Sequence, residues 1–152
     1  MGLVLPVRTF VVICWLVLGA PRLSAAQDLT SQIATELKTA TFHATELAQR
    51  ATTFAGVQLH THHALNCLEG PNGADFFAEA ANPCSGQGSG IIPDLQTAIA
   101  RHVPGAEKAL QQATIAQTLA KEALASKDMN EARSLVLVSA RHLQAASLVL
   151  GK

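Results

Sequence analysis

The 152-residue sequence predicts an all-helical protein: a four-helix bundle with a long first helix and a Gly/Pro-rich loop stapled by a disulfide. Three observations carry that expectation. Apolar residues recur at steps of three and four through most of the chain, the spacing of one face of a helix. No stretch alternates apolar and polar residues as a half-buried strand does. Glycine and proline, which interrupt helices, concentrate between Gly70 and Gly90.

From Asp28 to about Leu68 one apolar stripe runs through Leu29, Ile33, Leu37, Ala40, Ala44, Leu47, Ala51 and Phe54, with Asp28 or Ser31 able to cap its start. Unbroken, such a helix would be about 60 Å long at 1.5 Å per residue. That is long for a domain of this size, and Gly56 is the expected place for a bend. Gly70-Pro71-Asn72-Gly73 ends the helix. A short helical turn around Ala74 to Ala81 is expected to carry Phe76 and Phe77 into the core. Asn82-Pro83-Cys84 and the glycines at 86, 88 and 90 then form an irregular loop.

Pro93-Asp94 opens a short helix with Leu95, Ile99 and Val103 on its apolar face, ended by Pro104-Gly105. Another helix follows from near Ala106 to about Ser126, with Leu110, Ala113, Ala120 and Leu124 on one side. Lys127-Asp128 is the turn, and Asp128-Met129-Asn130-Glu131 fits a capping box with aspartate in the capping place. The final helix runs to Leu150 along the stripe Ala132, Val136, Ser139, Leu143, Ala146 and Leu150. So short a turn makes the last two helices antiparallel neighbours.

Residues 1–26 have the pattern of a signal peptide. Arg8 supplies the positive region, Phe10 to Ala20 the apolar one, and Ser24-Ala25-Ala26 the small residues before cleavage. Residues 27–152 then form a single helical domain outside the membrane, exported to the periplasm or beyond the cell. With Arg8 and Arg22 removed, nine basic residues face eleven acidic ones. That balance argues against nucleic acid and against an electrostatic hold on anionic lipid. Trp15 leaves as well and there is no tyrosine, so aromatic platforms for sugars or bases are not expected.

Once Cys14 is gone, Cys67 and Cys84 remain as a pair in an oxidising setting, where a disulfide is the default. The bridge would close a loop of roughly 18 residues, which the chain-entropy model values at about 3 kcal/mol. Two thiolate metal ligands are the alternative, but such sites usually show tighter C-x-x-C spacing.

The residues with most chemical capacity lie from His60 to Gly90. On a helix His60 and His63 are one turn apart and Cys67 one turn further, so all three project from one side. Two imidazoles at that spacing form half of a site for zinc, copper(II) or nickel. His62 points elsewhere, beside Asn66, yet stands next in line as a third ligand. Further ligands would come from Glu69, Asp75, Glu79, His43, His102 or His142, and no spacing singles one out. The competing expectation is that the histidines only hydrogen-bond and pin the glycine loop to the helix.

Catalysis has no comparable signal. There is no Ser-His-Asp order, H-E-x-x-H helix, C-x-x-C-H haem attachment, G-x-S-x-G elbow or phosphate-loop ending, so a non-enzymatic protein is expected. The string His60-x-His62-His63-x-x-Asn66-Cys67-Leu68-x-Gly70-Pro71, followed by Asn82-Pro83-Cys84-x-Gly86-x-Gly88, resembles a recurring signature of uncharacterised exported bacterial proteins. The alanine-rich helices with isolated histidines are also similar to small periplasmic metal-binding proteins that fold as four-helix bundles. That resemblance implies at most one site here, because the histidines are few. Binding of one divalent transition-metal ion through His60, His63 and His62 is the first functional expectation. A partner-binding module, with the His/Cys/Gly loop as its surface, is the second.

Overall fold

The computed structural model describes residues 21–152, with side chains from Asp28 onward. Residues 1–20 of the expected 1–26 signal peptide, with Arg8, Cys14, Trp15 and the apolar run, lie outside the described ones. No side chains are described at its cleavage site around Ala26. The described chain is all-helical and contains no strand.

α1 spans Pro21–Phe42 and passes into a π-helical segment, His43–Leu47, and the short α2, Ala48–Arg50. α3 is Phe54–Glu69, a 3-10 turn covers Ala78–Ala80, and α4, α5 and α6 are Ile91–Ala100, Ala106–Ala125 and Met129–Val149. Among these residues no helix is long and apolar enough to cross a membrane.

The expected long first helix is two helices. The chain leaves helical geometry at Ala51 (φ −60°, ψ 129°), and Thr53, extended at φ −122° and ψ 152°, caps α3 by accepting from the Gly56 amide at 3.1 Å. Gly56 is therefore inside the first turn of α3, and the break comes before it. Two adjacent threonines are poor helix formers, and one of them supplies the oxygen that the new helix start needs.

Elsewhere the apolar stripes do as expected, with one shift. Leu29, Ile33, Leu37, Ala40 and Ala44 are all buried, as is the α6 stripe from Ala132 to Leu150. On α5 the buried face is Ala106, Ala109, Ala113, Ala116, Ala120 and Ala123, while Leu110 and Leu124 sit half-buried to the side. Alanines let α5 and α6 lie close together, close enough for the Ser139 hydroxyl to donate to the Ala116 carbonyl at 2.8 Å. Asp128 caps α6 by accepting from the Asn130 and Glu131 amides. The Glu131 carboxylate does not return to Asp128, and Ser126 completes the cap by bonding both residues.

Two apolar clusters result. One gathers Leu29 to Ala40 of α1, the end of α3 with the disulfide, α4 and the facing ends of α5 and α6. The other gathers the π-helical segment, α2, Val57 and Ala64 of α3 and the opposite ends of α5 and α6. Cys67 and Cys84 are bonded, with 5.3 Å between their Cα atoms, which fastens the loop after α3 to the first cluster. The loop crosses the end of α3 at Gly70 (φ 69°) and Gly90 (φ 116°), where a Cβ on either would strike the backbone of the other strand of the loop. Phe77 is not in the core. It is 41% exposed, and buried Ala80 from the same turn faces inward instead.

Candidate metal centre

α3 presents His60 and His63 from successive turns, as the spacing requires. Their Nδ1 atoms are 3.3 Å apart. A third imidazole arrives from the other side of the helix pair: His43, the first residue of the π-helical segment, places its Nδ1 3.1 Å from that of His63. All three rings are half-buried, and one nitrogen from each can be chosen so that the three lie within 4.8 Å of one another.

The distances have a chemical meaning. Four ligands at about 2.0–2.1 Å around a tetrahedral ion are separated from one another by about 3.3 Å. The two Nδ1 separations that His63 makes match that edge. The rings are tilted against each other by 40° to 82°, so their edges rather than their faces converge. Three imidazole nitrogens with no thiolate suit a borderline divalent ion such as zinc, copper(II) or nickel.

The orientation of His63 is set from behind. Its Nε2 lies 2.5 Å from the Ala80 carbonyl, which can only accept, so Nε2 carries the proton and donates it. In a neutral imidazole this leaves a lone pair on Nδ1, the atom that faces His43 and His60. Burial, with the neighbouring His63 and His60 charges, pushes the His43 pKa down to about 4. Burial and then His63 also lower that of His60. Each shift favours neutral imidazole, the form that binds metal.

The remaining expected ligands lie elsewhere. His62, named as the third ligand, takes no place in the cluster: it packs on Phe77 with ring centroids 4.5 Å apart, and its buried Nδ1 has no partner. It follows His60 by two residues, and a helix turns those two side chains to different faces. Glu69 accepts from Gln117, Asp75 pairs with Lys121 at 2.7 Å, and His142 Nδ1 lies 2.7 Å from the side-chain Oε1 of Gln112. Glu79 is exposed and His102 sits in the turn after α4. Sequence reasoning counted His43 only among six further possibilities. Its 17-residue distance from His60 carries no periodic relation, and only the fold of α1 back onto α3 brings the two together.

No family model matches the sequence, and no match is found among curated proteins or solved structures.

Proposed function

We propose that this is an exported, non-enzymatic helical-bundle protein, with α1, α3, α5 and α6 as the long members of the bundle. It holds one divalent transition-metal ion on His43, His60 and His63. The observation that carries the reading is the pair of Nδ1 separations, 3.1 and 3.3 Å, which His63 makes with its two neighbours. Three neutral imidazoles leave a fourth position for water or for a ligand from another molecule, as suits an ion that is carried or passed on. Export rests on the signal pattern of residues 1–26, and the buried disulfide is consistent with an oxidising compartment.

The test is elemental analysis of protein purified without a histidine tag, then titration with zinc and copper(II) against a competing chelator. Stoichiometric binding abolished in His43→Ala/His63→Ala supports the reading. No affinity tighter than micromolar overturns it.

A second reading is a partner-binding module. It is favoured by two exposed aromatics beside the histidines: Phe42, 49% exposed against the His43 ring, and Phe77 against His62. In that case the histidine variants bind a partner as well as the native protein does, and Phe42→Ser/Phe77→Ser does not.

A further inference from the structure

We propose that Asn66 is a positioning residue of this centre: it holds the Ala78–Ala80 turn in place so that the Ala80 carbonyl fixes the orientation and tautomer of His63. The inference rests on the metal-binding reading for its purpose, although its geometry stands without any ion.

Asn66 is wholly buried, on α3, three residues after His63. It makes no use of a second helix. Every hydrogen bond of its amide goes to one turn: Nδ2 donates to the Phe77 carbonyl at 2.8 Å and to the Ala81 carbonyl at 2.6 Å, and Oδ1 accepts from the Phe77 amide at 2.9 Å. These contacts bracket Ala78–Ala80 on both sides. The bracket is needed because the turn is poorly held by itself. It has two backbone bonds of its own, from Ala80 to Phe77 and from Ala81 to Ala78, and ends on Ala81 at φ 63°, a conformation that residues with a Cβ seldom adopt.

Between the bracketing residues, Ala80 is 4% exposed and turns its carbonyl to His63 Nε2 at 2.5 Å. The clamp and the ring it serves leave the same helix one turn apart, so α3 fixes their relation rigidly. A planar amide suits this task because it offers two donors and an acceptor together. Aspartate has the shape without the donors, and glutamine carries the amide one methylene too far. What results is a supported ligand: the proton is held on Nε2 by a carbonyl that cannot swing away, and Nδ1 is left bare toward His43 and His60. Outer partners of this kind typically account for about 10- to 100-fold in metal affinity.

The experiment uses the full chain, metal-free and labelled with nitrogen-15, and reads the imidazole nitrogens near neutral pH. His63, assigned by its loss in His63→Ala, is expected to show a protonated Nε2 and a bare Nδ1. Asn66→Ala and the isosteric Asn66→Asp should each give mixed tautomers at His63. With all three ligands intact they should also weaken zinc binding by about 10- to 100-fold. A helical circular-dichroism spectrum identifies the folded variants. A proton on Nδ1 of His63 in the native protein overturns the proposal. So does a folded variant with native tautomer and native affinity. Should the tautomer behave as expected while native protein binds no zinc, the metal reading falls and the role of Asn66 in fixing His63 stands.

Discussion

His43 supplies what α3 cannot supply for itself. A single helix can aim two imidazoles at one point from i and i+3, but a third from that helix either faces away, as His62 does, or lies too far along the axis. The third must come from a second element, and the π-helical segment puts it there. His43→Ala is therefore expected to weaken zinc binding by at least about a hundredfold, in line with loss of a direct ligand rather than an outer one. His62→Ala should leave it unchanged in the same chelator competition. The histidine cluster was legible in the sequence as a half-site, through the spacing of His60 and His63. Its completion was not, because a contact between His43 and His63 belongs to the tertiary fold.

At the scale of elements, α1 carries a buried polar residue that its stripe does not announce. Glu36 is wholly buried between Ile33, Leu37 and Ala40, and its Oε1 accepts from the Gly90 amide at 3.0 Å. Asp94, in the first turn of α4, accepts from the Ser89 amide and from Gln32. Both carboxyls abut Gly88, where a Cβ would lie 2.6 Å from the Glu36 carboxyl carbon. Burial first, then the Asp94 charge, raises the Glu36 pKa to about 8 against the pull of the Gly90 amide.

The sign of the linkage follows. The native protein keeps a proton that the unfolded chain releases above about 4.5, so this stabilisation is full below that pH and is lost as pH rises through about 8. His43 works oppositely: its pKa is depressed, so its stabilisation is present above 6.5 and lost as pH falls through about 4. Above pH 6.5 Glu36 is the one of the two that still changes charge. Glu36→Gln should therefore flatten the fall in denaturant midpoint between pH 6.5 and 8, while His43→Ala should leave that limb sloping.

The element boundaries show where a sequence informs and where it misleads. The α6 stripe and its Asp128 cap could be read directly, since apolar spacing and a capping aspartate are local properties. The α5 face was displaced because Leu110 and Leu124 look more apolar than the alanines beside them. Against a close neighbour, however, small size decides which side turns inward. Glycine at 56 suggested a bend, but the break falls at Ala51 to Thr53, where the Thr53 oxygen starts a new helix and leaves Gly56 inside its first turn. Phe77 stays outside because its backbone amide and carbonyl are claimed by Asn66, leaving its ring over His62.

For the molecule as a whole, the Cys67–Cys84 bridge ties the histidine cluster to the surroundings of Glu36, since Cys67 follows His63 by one helical turn and Cys84 Sγ lies 3.7 Å from the Glu36 carbonyl. Between the two cysteines runs the turn that orients His63, and just beyond Cys84 the segment that covers Glu36. Removing the bridge releases both ends of that stretch. Cys67→Ser/Cys84→Ser is expected to lose about 3 kcal/mol in denaturant unfolding, the magnitude expected for a loop of this length. Zinc affinity should fall in the same variant, although no ligand has been touched.

The all-alanine buried face of α5, packed against α6, also sets which mutations the protein can absorb. Methyl groups at 109, 113, 116, 120 and 123 act as shims that fix the distance between the two axes. Shaving one to glycine removes little volume and is expected to lower stability by about 1 kcal/mol, chiefly through helix propensity. Thickening one, as in Ala116→Leu, has no free space to fill and must also pry the Ser139 hydroxyl from the Ala116 carbonyl. Its loss should reach about 1–3 kcal/mol or more, read from the thermal midpoint. Genetic drift along this face is thereby one-sided, with room to shrink and almost none to grow.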